Sequence, residues 1–131
     1  MEVKALSTCF CTHDVAACKA FYQTLFNAKV SFDCGWYVTV QLQPHGLELS
    51  FIEPQGDMPL FQGQGVTVNF KVDDVDAEFT RLNEAAVEMG MPLEDHPWGD
   101  RGFSVLDPIG NSVYIYSDRE PSEEFAGYYV D

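Results

Sequence analysis

The chain has 131 residues and an apolar fraction of 46%, enough for one domain or for two small modules that share a core. Seven basic residues against 21 acidic ones give a net charge of −14, which argues against nucleic acid and anionic membrane as partners, because both need basic side chains to meet their phosphates. No apolar run approaches the roughly 18 residues of a membrane span, and Met1-Glu2-Val3-Lys4 does not open a secretory leader, so a cytoplasmic protein is expected.

Residues 3–12 alternate as a strand does, with Leu6, Thr8 and Phe10 on one face and Ser7, Cys9 and Cys11 on the other. Asp14 is a suitable N-cap, and Val15, Cys18, Phe21, Tyr22, Leu25 and Phe26 recur at helical spacing, which predicts a helix over 15–26. Three short strand patterns follow, AKVSFD, WYVTVQLQ and GLELSFIE, split by Cys34-Gly35 and by Pro44-His45-Gly46. The first module therefore reads βαβββ over residues 3–53. Residues 54–64 are rich in Pro, Gly and Gln and read as a linker.

A second module starts at 65 with GVTVNFKV. Asp73-Asp74 caps a predicted helix over 74–88, with Val75, Phe79, Leu82 and Ala86 as its apolar stripe and Met89-Gly90 as its end. A weak strand around 92–96 leads to Pro97-Trp98-Gly99-Asp100 and then to a hairpin over 101–117, turned at Asp107-Pro108-Ile109-Gly110-Asn111. This half is also βαβββ, over residues 65–117. Phe10, Asp14, Val15 and Ala17 recur as Phe70, Asp74, Val75 and Ala77, an offset of sixty, so the chain carries an internal repeat. Each module buries one face of its sheet under its own helix; the opposite faces are free to curve into a cup around a cavity. Residues 118–131 form an acidic tail with three aromatic rings, either disordered or docked.

The four cysteines lie in the first third, without zinc-type spacing, and are expected to be reduced, small buried hydrophobes. The three histidines, His13, His45 and His96, fall at strand ends or in turns, where solvated rings are expected.

On Asp14-Val15…Ala20-Phe21-Tyr22…Leu25-Phe26, on Phe70-x-Val72-Asp73-Asp74-Val75-Asp76-Ala77, and on Pro97-Trp98-Gly99-x-Arg101-x-Phe103…Asp107-Pro108-x-Gly110-Asn111, the sequence resembles the vicinal oxygen chelate superfamily. This is the family of glyoxalase I, extradiol dioxygenases, fosfomycin-resistance enzymes and the metal-free bleomycin-resistance proteins. The resemblance covers about residues 3–117. It implies an α+β fold in which two βαβββ modules form a cupped mixed sheet with the helices outside, often in a homodimer. It also implies, for the enzymes, a divalent metal held by His from the first strand of each module and Glu from the last. Such a metal acts as a Lewis acid on two neighbouring substrate oxygens.

Here the ligand pattern departs. The first-strand positions hold Ser7 and Thr67, the last-strand position seven residues beyond Asp107 holds Tyr114, and Glu48 is the one carboxylate left. No metal and no other cofactor is expected. Strand alternation groups Ser7 with Cys9 and Cys11, Thr67 with Asn69 and Lys71, Glu48 with Ser50 and Ile52, and Tyr114 with Tyr116. With Trp36, Tyr37 and Trp98 these make a mixed polar and aromatic set such as small-molecule pockets carry; Arg101 and Asp107 read as structural. Three functions compete. One is a metal-free binding protein that sequesters an aromatic or cationic molecule, as in antibiotic resistance. Another is a metal-dependent lyase, isomerase, dioxygenase or thiol transferase with rearranged ligands. The third is a metal-independent enzyme with Glu48 as general base beside Tyr114.

Overall fold

The structure, a computed structural model, describes residues 1–43 and 47–130. The Pro44-His45-Gly46 turn, and with it the reading of His45, lies outside the described residues. The chain divides into two compact units, Met1–Gln64 and Gly65–Asp131.

Unit one runs β1 (Ser7–Cys11), α1 (Val15–Leu25), β2 (Lys29–Asp33), β3 (Tyr37–Leu42) and β4 (Leu47–Ile52). Its sheet has the order β1-β4-β3-β2, with β1 and β4 parallel and the other neighbours antiparallel. The first strand is shorter than predicted: Leu6 is exposed, and pairing begins at Ser7. The face under α1 buries Phe10, Val38, Val40, Leu49 and Phe51, which meet Val15, Cys18 and Tyr22 of the helix. Tyr22 stacks on Phe51 at 5.7 Å. Each such side chain contributes about 1.5–3 kcal/mol relative to leaving it in water. The helix stops where Asn27 takes a left-handed φ of 52°, which lets the Ala28 N–H return to the Tyr22 carbonyl at 3.1 Å.

Unit two runs β5 (Thr67–Lys71), α2 (Val75–Glu84), β6 (Glu94–His96), β7 (Asp100–Leu106), β8 (Ser112–Asp118) and a short α3 (Glu123–Ala126). The sheet order β5-β8-β7-β6 repeats that of unit one. Val75, Leu82, Phe103, Val105, Val113 and Ile115 form its core, and Phe79 meets Phe103 edge-on at 5.1 Å. Asp107 closes the β7–β8 turn by accepting from the N–H groups of Ile109 and Asn111, at 3.1 and 2.8 Å.

Helix α2 ends four residues before its predicted limit. Ala86 turns left-handed, with φ 57°, and the following backbone pairs with β7 instead. Leu106 N–H bonds Glu88 O, Gly90 N–H bonds Ser104 O, and Ser104 N–H bonds Met91 O. Residues 88–91 thus continue the edge that β6 occupies further along β7, and ladder bonds outweigh one more helical turn. The two helix starts also differ. Asp74 accepts from Ala77 N–H at 3.1 Å, whereas Asp14 makes no side-chain cap and its own N–H donates to Thr12 Oγ1.

The tail is docked. Arg119 N–H bonds Gly99 O at 2.8 Å, Ser122 N–H bonds Pro97 O at 2.9 Å, and Tyr129 O–H donates to Trp98 O. None of the cysteines forms a disulfide among the described residues; Cys11 and Cys18 are buried as expected, but Cys9 and Cys34 are exposed. Both of these correct the expectation of buried thiols: Cys9 lies on the sheet face that α1 does not cover, and Cys34 lies in the β2–β3 turn. Among the described residues, no helix is long and apolar enough to cross a membrane.

Candidate functional site

In each unit the helix covers one sheet face, and strand alternation sends the candidate residues to the opposite face. In sheet one, registration lines them up in rows across β1, β4 and β3. Ser7 stands beside Glu48 and Glu48 beside Gln41; Cys9 beside Ser50 and Ser50 beside Thr39; Cys11 beside Ile52 and Ile52 beside Tyr37. Gln41 Nε2 donates to Glu48 at 3.2 Å, and the Thr39 and Ser50 hydroxyls share a bond of 2.9 Å. Burial pushes the Cys9 thiol up, a hydrogen bond with Tyr37 working against it. Trp36, half exposed, meets Tyr37 edge-on at 6.2 Å, and Phe32 does the same at 5.9 Å. Glu48 is half-buried, and its side-chain partner is Gln41 rather than an aromatic ring.

Sheet two places Thr67 beside Ser112, Asn69 beside Tyr114, and Lys71 beside Tyr116. The registers of the two units make Tyr114 the counterpart of Ser50, not of Glu48, whose counterpart is Ser112. Tyr114 and Tyr116 stack at 5.7 Å and 17°. Tyr114 then reaches over Gly102, where a Cβ would lie 2.4 Å from its hydroxyl. That hydroxyl donates to Asp100 Oδ1 at 2.9 Å and lies 3.1 Å from His96 Nδ1. His96 Nδ1 is 2.7 Å from the same carboxylate oxygen, and Trp98 Nε1 donates to Oδ2 at 3.1 Å. The imidazole and the indole lie face to face, 4.6 Å apart and 3° from parallel.

This cluster of His96, Trp98, Asp100 and Tyr114 is the most organised polar group on either open face. The His96 side chain is 9% exposed and that of Asp100 13%. The turn position predicts a solvated His96; the pairing of β6 with β7 instead sets it across from Asp100, and Trp98 covers one face. His13, by contrast, is solvated as expected. Burial first, then the hydrogen bond to Asp100 and its charge, hold the Tyr114 phenol far above its ordinary pKa, hence protonated. Sequence reasoning named Trp98 and Tyr114 but missed His96, Asp100 and Gly102. The available signal was the glycine inside a strand, which marks a close approach.

The residues that the resemblance assigns as metal ligands are Ser7 and Glu48 on sheet one and Thr67 and Tyr114 on sheet two, but by register Glu48 and Tyr114 are not equivalent, their counterparts being the hydroxyls of Ser112 and Ser50. Neutral hydroxyls and a phenol kept protonated are poor donors for Fe, Mn, Zn or Ni, which take imidazole and carboxylate. Among the described residues, no three His, Cys, Asp or Glu side chains gather as a metal would require.

The sequence model of the glyoxalase/bleomycin resistance protein/dioxygenase superfamily matches residues 5–115, and the chain belongs to that superfamily. Among solved structures, a glyoxalase/bleomycin resistance protein/dioxygenase from Nocardioides is similar with a TM-score of 0.76 at 20% identity, covering 92% of this chain and 86% of that one. A lactoylglutathione lyase from Agrobacterium tumefaciens gives 0.70 at 23% identity, covering 89% and 96%. Likeness at these identities carries the fold alone. An uncharacterized protein of Mycobacterium bovis is 45% identical over 49 residues, which span 37% of this chain and only 32% of that protein's length.

Proposed function

We propose that the chain is a metal-free small-molecule-binding protein that holds an aromatic ligand against the aromatic face of sheet two. The observation that carries this reading is Tyr114. At the position where the metal enzymes of the family carry a carboxylate, this chain has a phenol that is protonated, bonded to Asp100 and stacked on Tyr116. The face therefore offers ring planes and hydrogen bonds in place of an open coordination site. The net charge of −14 favours a ligand that is neutral or cationic over an anionic one. Sequestration of a drug-like aromatic, the cytoplasm and a homodimer complete the proposal.

Two measurements test it. Protein purified without chelator is expected to carry only traces of transition metal by elemental analysis; one bound equivalent overturns the metal-free reading. A thermal-shift panel of neutral and basic aromatic compounds is expected to contain stabilising members. Among these, binding is expected to weaken in Tyr116→Ala. A broad panel without a single shift overturns the binding reading.

A further inference from the structure

The sheet-two cluster has one hydrogen-bonding position left over. Asp100 can only accept, and three donors already converge on it: Tyr114 O–H and His96 Nδ1 on Oδ1, and Trp98 Nε1 on Oδ2. A carboxylate served by three donors has little capacity left for a cation. Its 2.7 Å contact with Nδ1 places the imidazole proton on that nitrogen, so the lone pair of the neutral ring sits on Nε2. Nε2 has no hydrogen-bond partner among the described residues and is not sealed from solvent, although the side chain as a whole is nine-tenths covered. An acceptor so placed, held by a carboxylate and by a stacked indole, is pre-organised for a donor brought by another molecule.

We propose that His96 Nε2 is the polar anchor of the ligand site and that the ligand is a hydroxylated aromatic, whose O–H donates to it. This rests on the aromatic-ligand reading above and narrows it from any planar ring to rings with a phenolic hydroxyl. Trp98, still 44% exposed while stacked on His96, and the Tyr114–Tyr116 pair supply the ring surfaces beside the anchor. The group that selects the ligand is then the imidazole and not Asp100, whose negative charge acts only by fixing the tautomer.

The test compares 2-naphthol with 2-methoxynaphthalene, which has the same ring system but no donor. Equilibrium dialysis at about pH 8 is expected to show 2-naphthol bound roughly three- to tenfold more tightly, as one added hydrogen bond gives. His96→Phe is expected to erase that preference while retaining the methoxy compound. A reading on the native chain guards against a variant that fails to fold: with nitrogen-15-labelled histidine, the His96 Nε2 resonance is expected to move with 2-naphthol and not with 2-methoxynaphthalene. Equal binding of the two probes, or a resonance that ignores the hydroxyl, overturns the phenolic anchor and leaves the aromatic reading standing. Failure of both probes to bind overturns the phenolic anchor, whereas the aromatic reading falls only with the thermal-shift panel.

Discussion

The helix-facing sides of the two sheets are built alike. Phe10, Val38, Val40, Leu49 and Phe51 fill one; Phe103, Val105, Val113 and Ile115 fill the other, with one strand order serving both. The opposite sides have little in common. Sheet one presents short polar groups in rows, Ser7 with Glu48 and Gln41, Cys9 with Ser50 and Thr39. Sheet two presents rings and a buried hydrogen-bonded cluster. Where sheet one has Tyr37, sheet two has Gly102, and the space left by that missing side chain is what Tyr114 crosses. A βαβββ module is thus specified by its covered face, and the other face is free to take on chemistry.

The largest test of this contrast is Gly102→Val. Its Cβ would lie 2.4 Å from the Tyr114 hydroxyl and 2.9 Å from the backbone oxygen of Ile115, so denaturant unfolding is expected to show a loss of about 2–3 kcal/mol. Tyr114→Phe comes next. It strips one donor from Asp100 and is expected to cost about 1–2 kcal/mol, against about 0.5–1 for Thr39→Val in sheet one, where a shared hydroxyl bond is lost. Equal costs would remove the distinction between a network and a pair.

The same phenol has a pH signature. Its folded pKa is raised above the unfolded value of about 10. The stability it contributes is therefore complete below pH 10 and is lost as pH rises from there toward the folded value. Absorbance titration is expected to show a phenol that stays protonated well above pH 10 in the native chain and is missing from Tyr114→Phe, and that substitution is expected to flatten the alkaline fall in melting temperature.

Smaller still is the difference between the helix starts. Asp74→Ala is expected to cost about 1 kcal/mol, and Asp14→Ala only a few tenths, because only Asp74 caps with its side chain. Thiol chemistry ranks last, with no stability change to measure. Alkylation followed by mass spectrometry is expected to label Cys34 before Cys9, whose thiol is pushed up by burial, and to reach Cys11 and Cys18 only on unfolding.

The fold was legible because its signals are local. The sixty-residue offset from Phe10-Asp14-Val15-Ala17 to Phe70-Asp74-Val75-Ala77 announces two copies of one unit, and the Asp107–Asn111 turn carries its own hydrogen-bonding chemistry. Alternation also put Ser7, Glu48, Thr67 and Tyr114 on the open faces, as the registers do. What escaped depends on contacts between strands. His96 looks like a turn residue until β6 is registered against β7, and its burial needs Trp98 and Tyr114 from either side. The end of α2 escaped for a similar reason: residues 85–88 have helical composition, but β7 offers their neighbours a free edge.

The stacking of Trp98 on His96 gives the chain an optical reporter. The indole lies 4.6 Å from the imidazole, so a molecule that settles on the ring assigned as the ligand's anchor changes the surroundings of Trp98, and its emission reports occupancy of the site. The other tryptophan, Trp36, meets Tyr37 and not a histidine among its described ring contacts, and supplies a steady background. Phenylalanine at position 36 would leave a protein with a single emitter, sitting on the site itself.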